Sequence, residues 1–203
     1  MAIDHEPASG RRAKSRLSVL ITEARCAVST VLLLAHNEIA LPDDNVGRVV
    51  GFGDGTRSQV YRETAMRKRR REGLVLLVVR FRLRFIGSSR LAHWLFRLES
   101  IMNTVLFAAH RGFQTKLWLT DRRTWFYRGI YEWEGEEAAV EYAETLRVVL
   151  RPWVQRGSFA YRLIRDRSRV EYLEGAEMEK RQEPDDAWWA AVGRAEATAD
   201  ESR

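Results

Sequence analysis

Three polar side chains, Glu99, Asn103 and His110, recur at spacings of four and seven, which on a helix places them along one flank. In that arrangement Glu99 or His110 could serve as a base and Asn103 could hold an oxyanion. A structural alternative stays open, in which Glu99 and Asn103 are solvated or bind backbone and His110 caps the helix end. Just beyond lies Lys116, able to stabilise an enolate or carboxylate, or else to pair with Glu132 on a neighbouring strand. Trp125, Tyr127, Tyr131 and Trp133 alternate along one segment, and Gly129 interrupts them. Such an interruption could admit a flat ligand between aromatic walls, with Trp118, Tyr127, Tyr131 and Trp133 as the binding side chains. Core packing is the competing explanation for the same aromatics.

Other chemistries lack their parts. The chain has no Walker phosphate loop, dinucleotide fingerprint, HExxH motif or serine elbow. GFGDG at 51–55 imitates a phosphate loop without the lysine and helix that should follow. Cys26 is the single cysteine, which excludes an intramolecular disulfide framework and multi-cysteine zinc or iron-sulfur sites and suits a reducing cytoplasm. No cofactor is expected, although a histidine ligand to haem, from His93 or His110, stays open.

Elements that would position these residues follow from periodicity. Residues 1–15 form a basic leader, and Leu17, Leu20, Ile21, Ala24, Val28, Val31 and Ala35 predict an amphipathic helix within 1–45. Glu23 and Arg25 interrupt its apolar run, so it is read as docking on protein rather than spanning a membrane, with a peripheral anchor as the alternative. Asp-Gly at 54–55 between two strand-like runs predicts a hairpin within 46–72, followed by the cationic run 67–71. A strand is predicted over 74–85, a helix over 90–110, strands over 113–120 and 125–133, a helix starting at Gly135 and ending near Pro152, and a strand over 158–164. Residues 166–203 make an acidic tail with a helical turn near 187–192, where Trp188 and Trp189 could dock.

Charge is divided unevenly. Eleven acidic and six basic residues fall within 166–203, a net of −5, which leaves +11 on the remainder and the formal total of +6. A basic body of this kind could attract nucleic acid or an anionic surface. The run 67–71 is read as a solvated linker in preference to a nucleic-acid contact, because no aromatic residues are interleaved to stack on bases.

Strand, helix, strand, strand, helix, strand over 73–165 predicts an α+β domain. Its expected form is a ferredoxin-like βαββαβ fold, with a four-stranded antiparallel sheet and two helices on one face. GFQTKLWL, YRGIYEWEGEEAAVEYAETL and this element order resemble the dimeric α/β-barrel proteins, and among them small monooxygenases of the antibiotic-biosynthesis type. The resemblance covers about half the chain. It implies a homodimer paired sheet to sheet, a pocket between sheet and helices, and cofactor-independent oxygenation of an aromatic or polyketide-like substrate. Strand parity places Leu76, Val78, Trp118 and Ile164, together with Arg80, Arg82, Lys116 and Arg162, on the uncovered face, where a partner would shield them. The expected function is therefore binding of a hydrophobic small molecule, with cofactor-independent oxygenation as its most specific form; the rival is a noncatalytic protein whose basic segments contact nucleic acid or an anionic surface.

Overall fold

A computed structural model describes residues 2–3, 38–68, 73–84, 110–175 and 187–194. The amphipathic helix expected within 1–45, nearly all of the helix expected over 90–110, and with them His93, Glu99 and Asn103, lie outside the described residues.

The strand with the longest apolar run lies inside the sheet, paired on both edges. In β5 (Leu74–Arg82), Leu76, Leu77, Val78 and Val79 are all fully buried, so both faces of the strand are covered. An unbroken apolar run has this meaning, whereas alternation marks a strand wetted on one side. On one side β5 pairs with β7 (Phe126–Glu134), which pairs with β6 (Phe113–Thr120). On its other side lies β8 (Ala160–Ile164), followed by the two-residue β1 (Ala2–Ile3).

The sheet does not stop at these strands. β6 pairs with β4 (Arg57–Met66), which turns back through Gly53, Asp54 and Gly55 to β3 (Val49–Phe52). Short β2 (Ile39–Ala40) lies beside the far end of β4, and β9 (Ala191–Arg194) completes the sheet on β3. The described residues thus form one nine-stranded antiparallel sheet, in the order β1-β8-β5-β7-β6-β4-β3-β9 with β2 on β4. Register shifts at 60–62 and 113–115 insert extra residues into β4 and β6. Such bulges strengthen the local twist, and the sheet curls into an open half-barrel.

Helix α1 (Glu136–Leu150) covers the inner face, with Ala139, Val140, Tyr142 and Ala143 buried against Leu77, Val79, Leu163, Tyr131 and Trp133. Its acidic first turn, Glu136 and Glu137, and Arg147 in the last turn complement the helix dipole. The outer face is closed by the C-terminal part of the same chain. Helix α2 (Arg169–Leu173), held by a capping box between Ser168 and Glu171, buries Tyr172 and Leu173 there. A 3₁₀ turn at Ala187–Trp189 adds Trp188 and Trp189 over Leu76, Val78, Leu117, Leu119, Ile130 and Ile164.

These observations overturn the ferredoxin-like expectation. The four central strands continue into a sheet-dominated half-barrel, and the face reserved for a partner subunit is filled in cis. The hairpin expected as an extension is an integral part of the sheet. Parity also changes: the bulge at 113–115 rotates Lys116 and Trp118 to the inner face, opposite Leu76, Val78 and Arg162. Reading β6 as a regular strand put them on the wrong side, since one inserted residue reverses every later side chain.

Candidate functional site

Neighbouring strands bring Thr64, Lys116, Tyr131 and Leu77 into one row, because Lys116 pairs with Thr64 on β4 and with Tyr131 on β7. The next row is Arg62, Trp118, Gly129 and Val79. Lys116 is only 5 % exposed, and its Nζ lies 3.0 Å from the centroid of the Trp118 ring and 4.7 Å from that of Tyr131. From β4 the Arg62 guanidinium reaches over the same indole at 5.3 Å, with Tyr61 alongside at 6.4 Å between ring centroids. The Trp118 indole N–H donates to Thr64 Oγ1 at 3.1 Å. Tyr61 and Arg62 both turn inward because the β4 bulge falls between Val60 and Arg62.

Helix α1 supplies the roof. The Tyr142 hydroxyl lies 3.3 Å from that of Tyr131, and its ring packs against Trp133 at 4.9 Å and edge-on to His110 at 5.5 Å. Trp133 is fully buried and edge-on to Phe113. Tyr127 shares this face but stacks on Phe81 at 5.8 Å, apart from the tyrosine pair. Among the expected site residues, the fold therefore gathers His110, Lys116, Trp118, Tyr131 and Trp133 into one cluster and sets Tyr127 beside it. Trp125 lies in the turn before β7, with φ +57°, and does not continue the strand's alternation.

Two expectations about this face change. The space at Gly129 is filled by the Tyr131 ring, since a Cβ on residue 129 would stand 2.5 Å from Tyr131 Cε2. Glu132 does not pair with Lys116: it accepts from Thr115 Oγ1 at 2.6 Å and lies 3.8 Å from Arg169 on the outer face.

Electrostatics set the protonation preferences. Burial, followed by the nearby Arg62 charge, pulls Lys116 well below the ordinary lysine range. The two ring faces attract an ammonium and work against that trend, by about 2 kcal/mol at a desolvated site. Burial pushes the Tyr131 phenol upward, outweighing the hydrogen bond to Tyr142, so it stays protonated at working pH. Burial also lowers Arg62.

A second polar cluster occupies the outer face. Arg80 and Arg128 face each other across β5 and β7 and converge on Asp54 Oδ2 at 3.3 Å each. Arg128 also donates to Ser58 Oγ at 2.8 Å and Thr56 Oγ1 at 2.6 Å, and burial brings its pKa down to about 10. Arg80 lies 4.7 Å from the ring centroids of both Phe126 and Trp188, and Arg162 lies 4.8 Å from that of Trp189. Asp54, in a hairpin turn, supplies countercharge to Arg80. Sequence reasoning missed Asp54, Tyr61, Arg62, Thr64 and the partnership of Tyr142 with Tyr131. Only Tyr142 carried a signal, its place on the apolar stripe of α1.

Among the described residues, no group of three or more His, Cys, Asp or Glu side chains is placed to hold a metal ion. No helix among them is long and apolar enough to cross a membrane. Arg67 and Lys68 are exposed, and the rest of the cationic run lies outside the described residues.

No known family profile matches the chain, and no curated protein matches it. One matching solved structure is a staphylococcal protein described as a major regulator of staphylococcal pathogenesis. It is 10% identical, covers 67% of this chain and 90% of its own, and gives a TM-score of 0.37, a likeness too slight to carry a fold or a function. The assignment to the antibiotic-biosynthesis monooxygenases is corrected by the fold. A nine-stranded half-barrel with both faces closed in cis is not their architecture.

Proposed function

We propose that the chain binds a hydrophobic, aromatic or polyketide-like small molecule on the inner face of its sheet, with Lys116 meeting the ligand's polar end. The observation that supports this most is the placement of a buried primary amine on the face of Trp118 and beside the ring of Tyr131, whose hydroxyl meets that of Tyr142. Indole and phenol rings supply flat apolar contact, and the amine, phenols and Arg62 supply a few convergent polar groups. A carboxylate or enolate arriving there would favour the ammonium form of Lys116 and take up a proton on binding. The oxygenation implied by the family resemblance does not carry over.

Calorimetric titration with 2-naphthoate tests this reading. Saturable binding with proton uptake, weakened at least tenfold in Lys116→Met, is the expected result. Absence of saturable binding, or equal affinity in the variant, overturns it.

A further inference from the structure

Lysine is scarce in this chain: of the 34 Lys and Arg residues, only Lys14, Lys68, Lys116 and Lys180 are lysines. Where a cation lies over an aromatic ring elsewhere among the described residues, the chain uses arginine. Arg62 sits over Trp118, Arg80 over Phe126 and Trp188, Arg128 over Phe52, and Arg162 over Trp189. Lys116 departs from that pattern at a buried position of the sheet. The chemical difference is that a guanidinium keeps its proton under burial, whereas a lysine amine can release it and become a nucleophile.

We propose that Lys116 is a covalent site whose Nζ condenses with the carbonyl group of a hydrophobic aldehyde or ketone to form an imine. This rests on the reading that a hydrophobic ligand reaches the inner face. Two conditions activate lysine amines toward carbonyls, an apolar enclosure and a neighbouring cation, and Lys116 has both, the second from Arg62. The Trp118 and Tyr131 ring faces that now flank the amine would flank an iminium as well, a cation that aromatic faces stabilise. Tyr131, kept protonated by burial and joined to Tyr142, is a hydrogen-bonding hydroxyl in the same cluster.

The step balances without oxidant or reductant. The Nζ lone pair adds to the carbonyl carbon while the C=O π electrons move to oxygen, which takes a proton to give a carbinolamine. Nitrogen gives up one proton, the hydroxyl takes up a second and leaves as water while the nitrogen lone pair forms the C=N bond, and the resulting iminium releases its remaining N–H proton to solvent. The amine and the carbonyl compound thereby become an imine and one water.

The full-length protein is incubated with benzaldehyde and cyanoborohydride, which reduces an iminium and fixes the adduct, and the modified lysine is located by peptide mass spectrometry. Lys116 is expected to be benzylated at least tenfold faster than Lys14, Lys68 or Lys180 at neutral pH, with protection by 2-naphthoate. Labelling of Lys116 no faster than of the other three overturns the proposal. Binding of 2-naphthoate without labelling of Lys116 rejects the imine and keeps the binding reading; failure of both rejects the two together. Because the comparison is among lysines of the native chain, it does not depend on a variant that folds.

Discussion

Lys116 Nζ lies 3.0 Å from the centroid of the Trp118 ring, two residues along the same strand and therefore on the same face. An ammonium gains from that ring, yet the enclosure and Arg62 both act against the charge and pull the group well below its ordinary range. The unfolded chain therefore holds more protons at this position than the folded one throughout the interval between the lowered value and the usual 10.5. Stability must rise with pH across that interval, and the penalty is fully present below it. Lys116→Met, which keeps the volume and removes the charge, is expected to fold no less stably at neutral pH and to gain up to about 3 kcal/mol. Urea titrations at several pH values check this: wild type should approach the variant as pH rises, and a constant gap would reject the assignment.

Tyr131 lies back across Gly129 on the same strand, leaving no room for a side chain at 129. Gly129→Ala is expected to cost about 2 kcal/mol through overpacking. In a Tyr131→Leu background the obstructing ring is absent, so the same substitution should be nearly neutral. A double-mutant cycle measures the coupling, and additive costs would show that the ring is not the obstacle.

Asp54 gives one carboxylate oxygen to both Arg80 and Arg128, and the Arg128 side chain is fully buried. Asp54→Asn keeps the turn's shape but removes the negative charge on which two close cations converge. A loss of about 3 kcal/mol is expected, in line with removal of one partner from a buried ion pair. Raised salt should recover little of it, because the enclosed guanidinium is poorly screened. Equal melting temperatures for variant and wild type would mean that Ser58 and Thr56 suffice to hold Arg128.

Local periodicity was readable in this chain, while the assembly of its elements was not. Strands at β5, β6, β7 and β8 and the helix α1 lie where alternation, helical spacing, Gly135 and Pro152 put them. The inserted residue near Gln114 leaves no mark in the residue pattern, yet it decides that Lys116 and Trp118 face Tyr131 and α1 rather than the opposite side. The partner-covered face was inferred from two helices on one side of a sheet. Leu76 and Val78, as apolar as Leu77 and Val79, did announce cover on both faces, but their partners lie about a hundred residues away in a segment whose composition is acidic. Long-range pairing of this kind is set by shape and burial, not by local spacing. The inner cluster was legible in its residue types and misplaced in its surroundings, since the Tyr131 ring fills the space that Gly129 suggested.

The C-terminal segment is expected to be a necessary part of the fold. Tyr172 donates its hydroxyl proton to the Trp189 carbonyl, Gly53 N–H donates to the Ala190 carbonyl at 2.9 Å, and β9 extends the sheet at β3. At Gly175, φ +86°, a Cβ would stand 2.6 Å from the Val192 carbonyl carbon, so α2 and β9 meet backbone to backbone. A chain ending at Gly175 loses Trp188 and Trp189 and uncovers Leu76, Val78, Leu117 and Ile130. Apolar surface of that extent favours self-association. The truncated protein is expected to melt well below the full chain, bind an apolar dye and form larger species in light scattering. Trp189→Ala alone should cost about 3–4 kcal/mol, as expected for emptying a large aromatic site. A truncated chain with unchanged melting temperature and hydrodynamic radius would show that the outer face needs no cover from residues 187–194.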